Sequence, residues 1–192
     1  MQVHYPLFQV LDSFYKLSEE TKNALSACIK VRSYSKGSFI LEQGMTNDKL
    51  YFLKKGVVRA FYYQGNKELT SWMFAENSLF ISIYSFLTQT PSRETIEAVE
   101  DCELFYITNK DLQELYTSHL DLNVVGRKLT EMYYIKMTEQ AGSLRMLPAK
   151  ERYAYFLETQ GALLNRVPLG YIASYLGMSQ ETLSRVRQQL YS

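Results

Sequence analysis

The stretch GMSQETLSRVRQQLYS, at 177–192, gathers side chains suited to reading the edges of bases. At helical spacing it leaves Gln180, Glu181, Ser184, Arg185 and Arg187 facing outward. Arginine can donate two hydrogen bonds to guanine O6 and N7, glutamine can pair with adenine, and glutamate can accept from cytosine N4. Ser179 can cap such a helix, and Glu181 in the first turn suits the positive end of the helix dipole. The plainer alternative is that Glu181 only complements the dipole and the arginines form a solvated face. From Arg166 onward three arginines oppose a single glutamate, so the local balance is basic where a groove would lie.

A reading helix needs a second helix to hold it. Counted from Leu169, Ile172 and Ala173 fall at the fourth and fifth positions, and Leu176 and Gly177 at the eighth and ninth. Met178 is tenth, Leu183 fifteenth and Val186 eighteenth. Two helices crossing steeply need a small fifth residue and a ninth that accepts a left-handed backbone, with apolar groups elsewhere for the shared core. All these positions are filled as a helix-turn-helix requires.

The rest of the chain sets bounds. Its 192 residues suffice for one large or two small domains, and its apolar content is that of a globular protein. The formal net charge is +1, so any basic face must be local. Cys28 and Cys102 stand far apart and are too few for a four-thiolate cluster. His4 and His119 are the only histidines, and neither lies in a ligand cluster, so no metal or haem site is expected. No Ser/His/Asp set or phosphate loop presents itself, which argues against an enzyme. The start, MQVHYPLFQVLDSFYK, lacks a signal-peptide pattern and no run is apolar enough to span a bilayer. A reduced, cytoplasmic setting is the simplest reading.

Three regimes succeed one another. Leu7, Leu11, Phe14, Leu17 and Leu25 recur at helical spacing before residue 30. From about 31 to 108, short β-rich runs are punctuated by Gly37, Gly44, Gly56 and the QGNK turn, which predicts a small barrel or roll. The helical period then returns. Between Asn109 and Ala141 there is no proline, and Leu122, Val125, Leu129 and Met132 form an apolar seam. Such a seam suits pairing with a second copy's helix, and equally suits packing on the chain's own domain. The expected fold class is α+β. The expected domains are 1–108, a β-roll with N-terminal helices; 109–142, a dimerisation helix; and 143–192, a helix-turn-helix unit.

On these residues the chain resembles the Crp/Fnr superfamily of bacterial transcription regulators. SQETLSRVR is similar to that family's recognition helix, with Glu181 and Arg185 in the place of base-contacting residues. KGSFILEQGMTNDKLYFLKKGVVRAFYY resembles its cyclic nucleotide-binding roll, and RVPLGYIASYLGMSQETLSR looks most like a Bacteroidetes branch. The resemblance implies a homodimer on an inverted-repeat operator, with DNA and RNA polymerase as partners and no membrane. A nucleotide-sensing module that acts through protein partners without DNA is the alternative.

Cyclic nucleotide binders of the family carry a Gly-Glu pair just before a short helix, then an Arg-Ser pair. Here WMFAENSLFISIYSFLTQTPSRET has no glycine; Glu76 follows Ala75, and the later pair is reversed as Ser92-Arg93. Glu76, Ser92 and Arg93 are therefore the candidate effector residues, cyclic AMP is not expected to bind well, and another small molecule could occupy a pocket around Phe74 and Phe80. Relatives follow the recognition helix with a β-hairpin wing. After Arg187 only QQLYS is given, too short for a hairpin, so the expectation is a winged-helix-like unit with a truncated wing. Its phosphate contacts would be supplied partly by the segment around Asn165 and Arg166 and partly by the dimer's second half-site.

Overall fold

The computed structural model describes residues 5–191. Two helices open the chain, α1 (Tyr5–Phe14) and α2 (Glu19–Cys28). Helix α2 starts where Ser18 accepts a hydrogen bond from the Thr21 amide at 3.1 Å, the expected behaviour of a serine cap. Eight strands follow: β1 (Lys30–Tyr34), β2 (Phe39–Leu41), β3 (Lys49–Lys55), β4 (Val58–Gln64), β5 (Lys67–Phe74), β6 (Leu79–Phe80), β7 (Thr95–Ala98) and β8 (Cys102–Thr108). A short helix, α3 (Ile83–Thr88), interrupts them. They form two antiparallel four-stranded sheets, ordered β1-β8-β3-β6 and β2-β7-β4-β5, which is the roll expected from the glycine-punctuated pattern.

The helical half comprises α4 (Asn109–Ser118), α5 (Leu120–Met146), α6 (Ala149–Gln160), a 3₁₀ turn at Gly161–Leu163, α7 (Leu169–Tyr175) and α8 (Gln180–Tyr191). The uninterrupted helix expected over 109–142 is thus two helices broken at His119, and α5 runs on to Met146. The break is tied to α2. The Asp121 carboxylate accepts from the Ser18 amide at 2.8 Å and the Thr21 hydroxyl at 2.7 Å, and His119 Nδ1 lies 3.2 Å from that hydroxyl. Gly126 lets the halves close up, because a Cβ there would collide with the Tyr116 hydroxyl.

Three apolar clusters result. One joins α1, α2, α4 and the first half of α5 to Phe52, Leu79 and Phe105 of the roll. A second fills the roll around Leu53, Ile96 and Leu104. The third holds the terminal helices together and takes in Val57, Met73 and Val99 from the roll. The terminal unit therefore shares a core with the roll.

Candidate nucleic-acid interface and its docking on the roll

The helix-turn-helix forms as its spacing requires. Ile172, Ala173, Leu176, Leu183 and Val186 are all buried between α6, α7 and α8, each apolar side chain contributing about 1.5–3 kcal/mol when fully buried, alanine less. Gly177 turns the chain with φ +63°, and Met178 N–H donates to Ala173 O at 3.0 Å to close α7. Ser179 Oγ accepts from the Thr182 amide at 3.2 Å and so caps α8. Hydrogen bonding to Ser179 and to its own backbone amide holds the Glu181 carboxyl below its ordinary range. Of the six candidate residues, Ser179, Gln180, Glu181 and Arg185 are exposed, and Ser184 and Arg187 are half-buried. Arg185 donates to Thr182 Oγ1 at 3.3 Å, which aligns its guanidinium along the helix and leaves its other donors open. Among the described residues no strand follows Thr108, and α8 continues through Tyr191.

The opposite side of this unit is fastened to the roll. Arg166, just before α7, donates to both oxygens of Glu76 at 2.8 and 2.7 Å and to both oxygens of Glu100 at 3.0 and 2.6 Å. Glu76 also accepts from the Gly56 amide at 2.8 Å. The guanidinium lowers the Glu76 carboxyl to about 2, and the two carboxylates push Arg166 further up. A second junction centres on Arg59 of β4, which is fully buried. Its guanidinium lies 3.6 Å from the Tyr171 ring centroid and 4.1 Å from that of Phe61, and it pairs with Glu68 and with Glu97 at 3.5 Å. Ser174 of α7 accepts from the Thr70 amide at 2.9 Å and donates to Glu68 O at 3.2 Å.

This arrangement corrects two expectations. Glu76 is an inter-domain ion-pair residue and faces Arg166. Arg166 is engaged by four carboxylate oxygens, so in this conformation it is not free to contact phosphate. Neither pairing is visible locally, since the partners stand 90 and 66 residues apart.

The candidate effector residues do not form one site. The residues just before α3 are Ile81 and Ser82, so the place of the family's Gly-Glu pair is six residues past Glu76. Ser82 and Ser92 are buried and their hydroxyls bond each other at 2.9 Å. Beside them Glu94 is buried, accepts from Ser71 Oγ at 3.2 Å, and has its carboxyl pushed up by burial. Arg93 is exposed and lies 4.3 Å over the Tyr84 ring. The pocket expected around Phe74 and Phe80 is filled by their own rings: Tyr51 and Phe80 stack at 5.2 Å, Phe80 and Phe74 at 5.3 Å, Phe74 and Trp72 at 6.2 Å.

The apolar seam is also revised. Leu122 and Val125 are 4% and 2% exposed and pack in the chain's own core with Leu7, Leu11 and Phe105; Leu129 packs against the same cluster and Met132 is half-buried. The face of α5 left open carries Leu120, Tyr134 and Ile135, at 77%, 72% and 57% exposure. Spacing alone could not choose, because a helix seam has the same period whichever surface it meets.

The architecture is thus a strand roll joined through a long helix to a terminal helix-turn-helix. The sequence profile of the cyclic nucleotide-binding domain matches residues 31–119. The chain is 28% identical over 169 residues to the nitrogen fixation regulation protein FixK of Rhizobium meliloti, covering 83% of this chain and 74% of that one. It is similar to the catabolite activator protein of Thermus thermophilus, with 27% identity, a TM-score of 0.59 and coverage of 95% and 86%. FixK2 of Bradyrhizobium japonicum shares the fold at a TM-score of 0.71, with 21% identity over 85% of this chain and 84% of that one. Over most of its length the chain is therefore similar to bacterial regulators of the Crp/Fnr type. Among the described residues no helix is long and apolar enough to cross a membrane.

Proposed function

We propose that this chain is a sequence-specific DNA-binding regulator that acts as a homodimer on an inverted repeat. The observation that carries the reading is α8: a capped helix whose apolar face is locked into a three-helix core while Gln180, Glu181 and Arg185 remain exposed. In this reading α8 enters the major groove, Arg185 reads a guanine, and Gln180 and Glu181 refine the choice. The open face of α5, with Leu120, Tyr134 and Ile135, meets the same face of a second copy. RNA polymerase is the further partner and the cytoplasm the setting. In this reading cyclic AMP is not the effector, because Ile81 and Ser82 stand where the Gly-Glu pair would be, buried Ser92 stands where its arginine would be, and the Arg93 guanidinium lies over the Tyr84 ring.

The Arg166 and Arg59 junctions set the angle between α7 and β5. An effector or partner that favours another angle would re-space the two reading helices of a dimer. The reading is tested on Arg185→Ala. Its expected effect is a loss of about 1–3 kcal/mol of specific binding together with relaxed preference at one base of each half-site. Uniform weakening on all sequences would make Arg185 a phosphate contact, and unchanged binding would remove α8 from the interface.

A further inference from the structure

A cleft of about 340 Å³ opens where β5, the second half of α5, α6 and α7 meet. It borders the aromatic stack that fills the roll and shares with it the last two rings, Trp72 and Phe74. Its lining is itself aromatic: Trp72 and Phe74 come from β5, Phe156 from α6 and Tyr175 from α7, the last two with ring centroids 6.2 Å apart. Three charged residues complete it, Lys136, Glu139 and Arg152.

The charges are unequally satisfied. Glu139 accepts from the Tyr155 hydroxyl at 3.2 Å. Arg152 donates only to main-chain carbonyls, those of Leu144, Leu147 and Gly177 at 3.4, 3.2 and 3.4 Å, and its Nε is buried without an acceptor. The Lys136 ammonium lies 5.7 Å over the Tyr133 ring. Among the described residues neither cation has a carboxylate within ion-pair distance. A guanidinium held only by carbonyls has no counter-charge beside it. The cleft thus joins a surplus of positive charge to flat ring surfaces.

We propose that this cleft binds a small aromatic carboxylate, with its ring against Trp72 and Phe74 and its anionic head on Arg152 and Lys136. The volume lies at the bottom of the ~300–1,000 Å³ range of small-molecule sites, which suits one or two rings and is too small for a dinucleotide. A carboxylate supplies the acceptor that Arg152 lacks, and an arginine–carboxylate bond is among the stronger hydrogen bonds. Binding stands on the cleft alone, independent of DNA reading. Its regulatory consequence, a tighter hold between α5 and the terminal helices, rests on the DNA-reading proposal.

Trp72 is the chain's only tryptophan, so its emission reports on this cleft. Two isosteric probes absorb in the range of that emission: 2-aminobenzoate, an anion, and 2-aminobenzamide, which is neutral. The expected result is saturable energy transfer from Trp72 to both, with the anion bound about ten-fold more tightly, as a charge-assisted hydrogen bond warrants. Lys136→Gln and Arg152→Gln should each bring the two affinities closer. Lys136 is exposed, so its variant keeps the fold even if the Arg152 variant does not. The proposal is overturned if neither probe saturates, if anion and amide bind equally to the wild type, or if Lys136→Gln leaves the preference intact in a folded protein. Loss of DNA binding with this preference unchanged would sink the DNA reading and leave the cleft standing.

Discussion

Helix α8 and the wall of the roll between β6 and β7 use similar small polar residues to opposite ends. On α8, Ser179, Gln180, Glu181 and Arg185 are exposed, and a few bonds among themselves leave most of their donors and acceptors open. In the wall, Ser82, Ser85, Ser92 and Glu94 are buried and spend their bonds on one another and on nearby main chain. Ser85 Oγ accepts from the Asn47 amide at 2.8 Å and donates to Thr90 O at 2.6 Å, and Ser92 Oγ donates to Glu94 O at 2.8 Å. A buried polar group must be satisfied where it sits, and once satisfied internally it has little left for a ligand. Residue type alone therefore does not mark a binding site; open bonding capacity does.

The largest expected effect breaks the α8 side of this comparison. Leu183 is fully buried in the core that holds α8, and Leu183→Ala should destabilise the terminal unit by about 2–5 kcal/mol through lost burial and a residual cavity. Thermal unfolding should show the loss. Because Met73 and Val99 of the roll share that core, the whole chain's transition should move, and an unchanged transition would contradict the shared core.

A smaller effect sharpens the comparison on the roll side. Glu76→Gln removes a charge that holds Arg166, and with both groups about a third exposed the loss should be about 1 kcal/mol. The Glu76 carboxyl is lowered to about 2 from an ordinary 4.5. Its contribution is therefore fully present above about 4.5 and disappears as pH falls toward about 2. The stability difference between wild type and Glu76→Gln should shrink across that window. A difference that is constant with pH would mean Glu76 acts there as a neutral hydrogen-bonding group.

Legibility in the sequence followed contact range. The turn between α7 and α8 is governed by residues within one short segment, so Ala173, Gly177, Leu183 and Val186 announced it. The roll announced itself through its glycines. The face of α5 did not, because Leu122 and Val125 would show the same spacing against a second copy as they do against α1. Glu76 misled because it follows Ala75 much as the family's glutamate follows glycine. The true position depends on where β6 and α3 begin, and that is settled by strand pairing of Leu79 and Phe80 with β3. Arg59 gave no sign, since an arginine within a β-run reads as solvated until Tyr171 is brought over it from the far end of the chain.

The most direct measurement is selection from random DNA by the wild-type protein, run without ligand, with cyclic AMP, and with a small-molecule cell extract. The expected result is enrichment of one inverted repeat, with half-sites spaced about one helical turn apart and the same sequence recovered whether or not cyclic AMP is present. Failure to enrich any sequence under all three conditions would contradict DNA reading by α8. Enrichment that appears only with cyclic AMP would contradict the account of the roll.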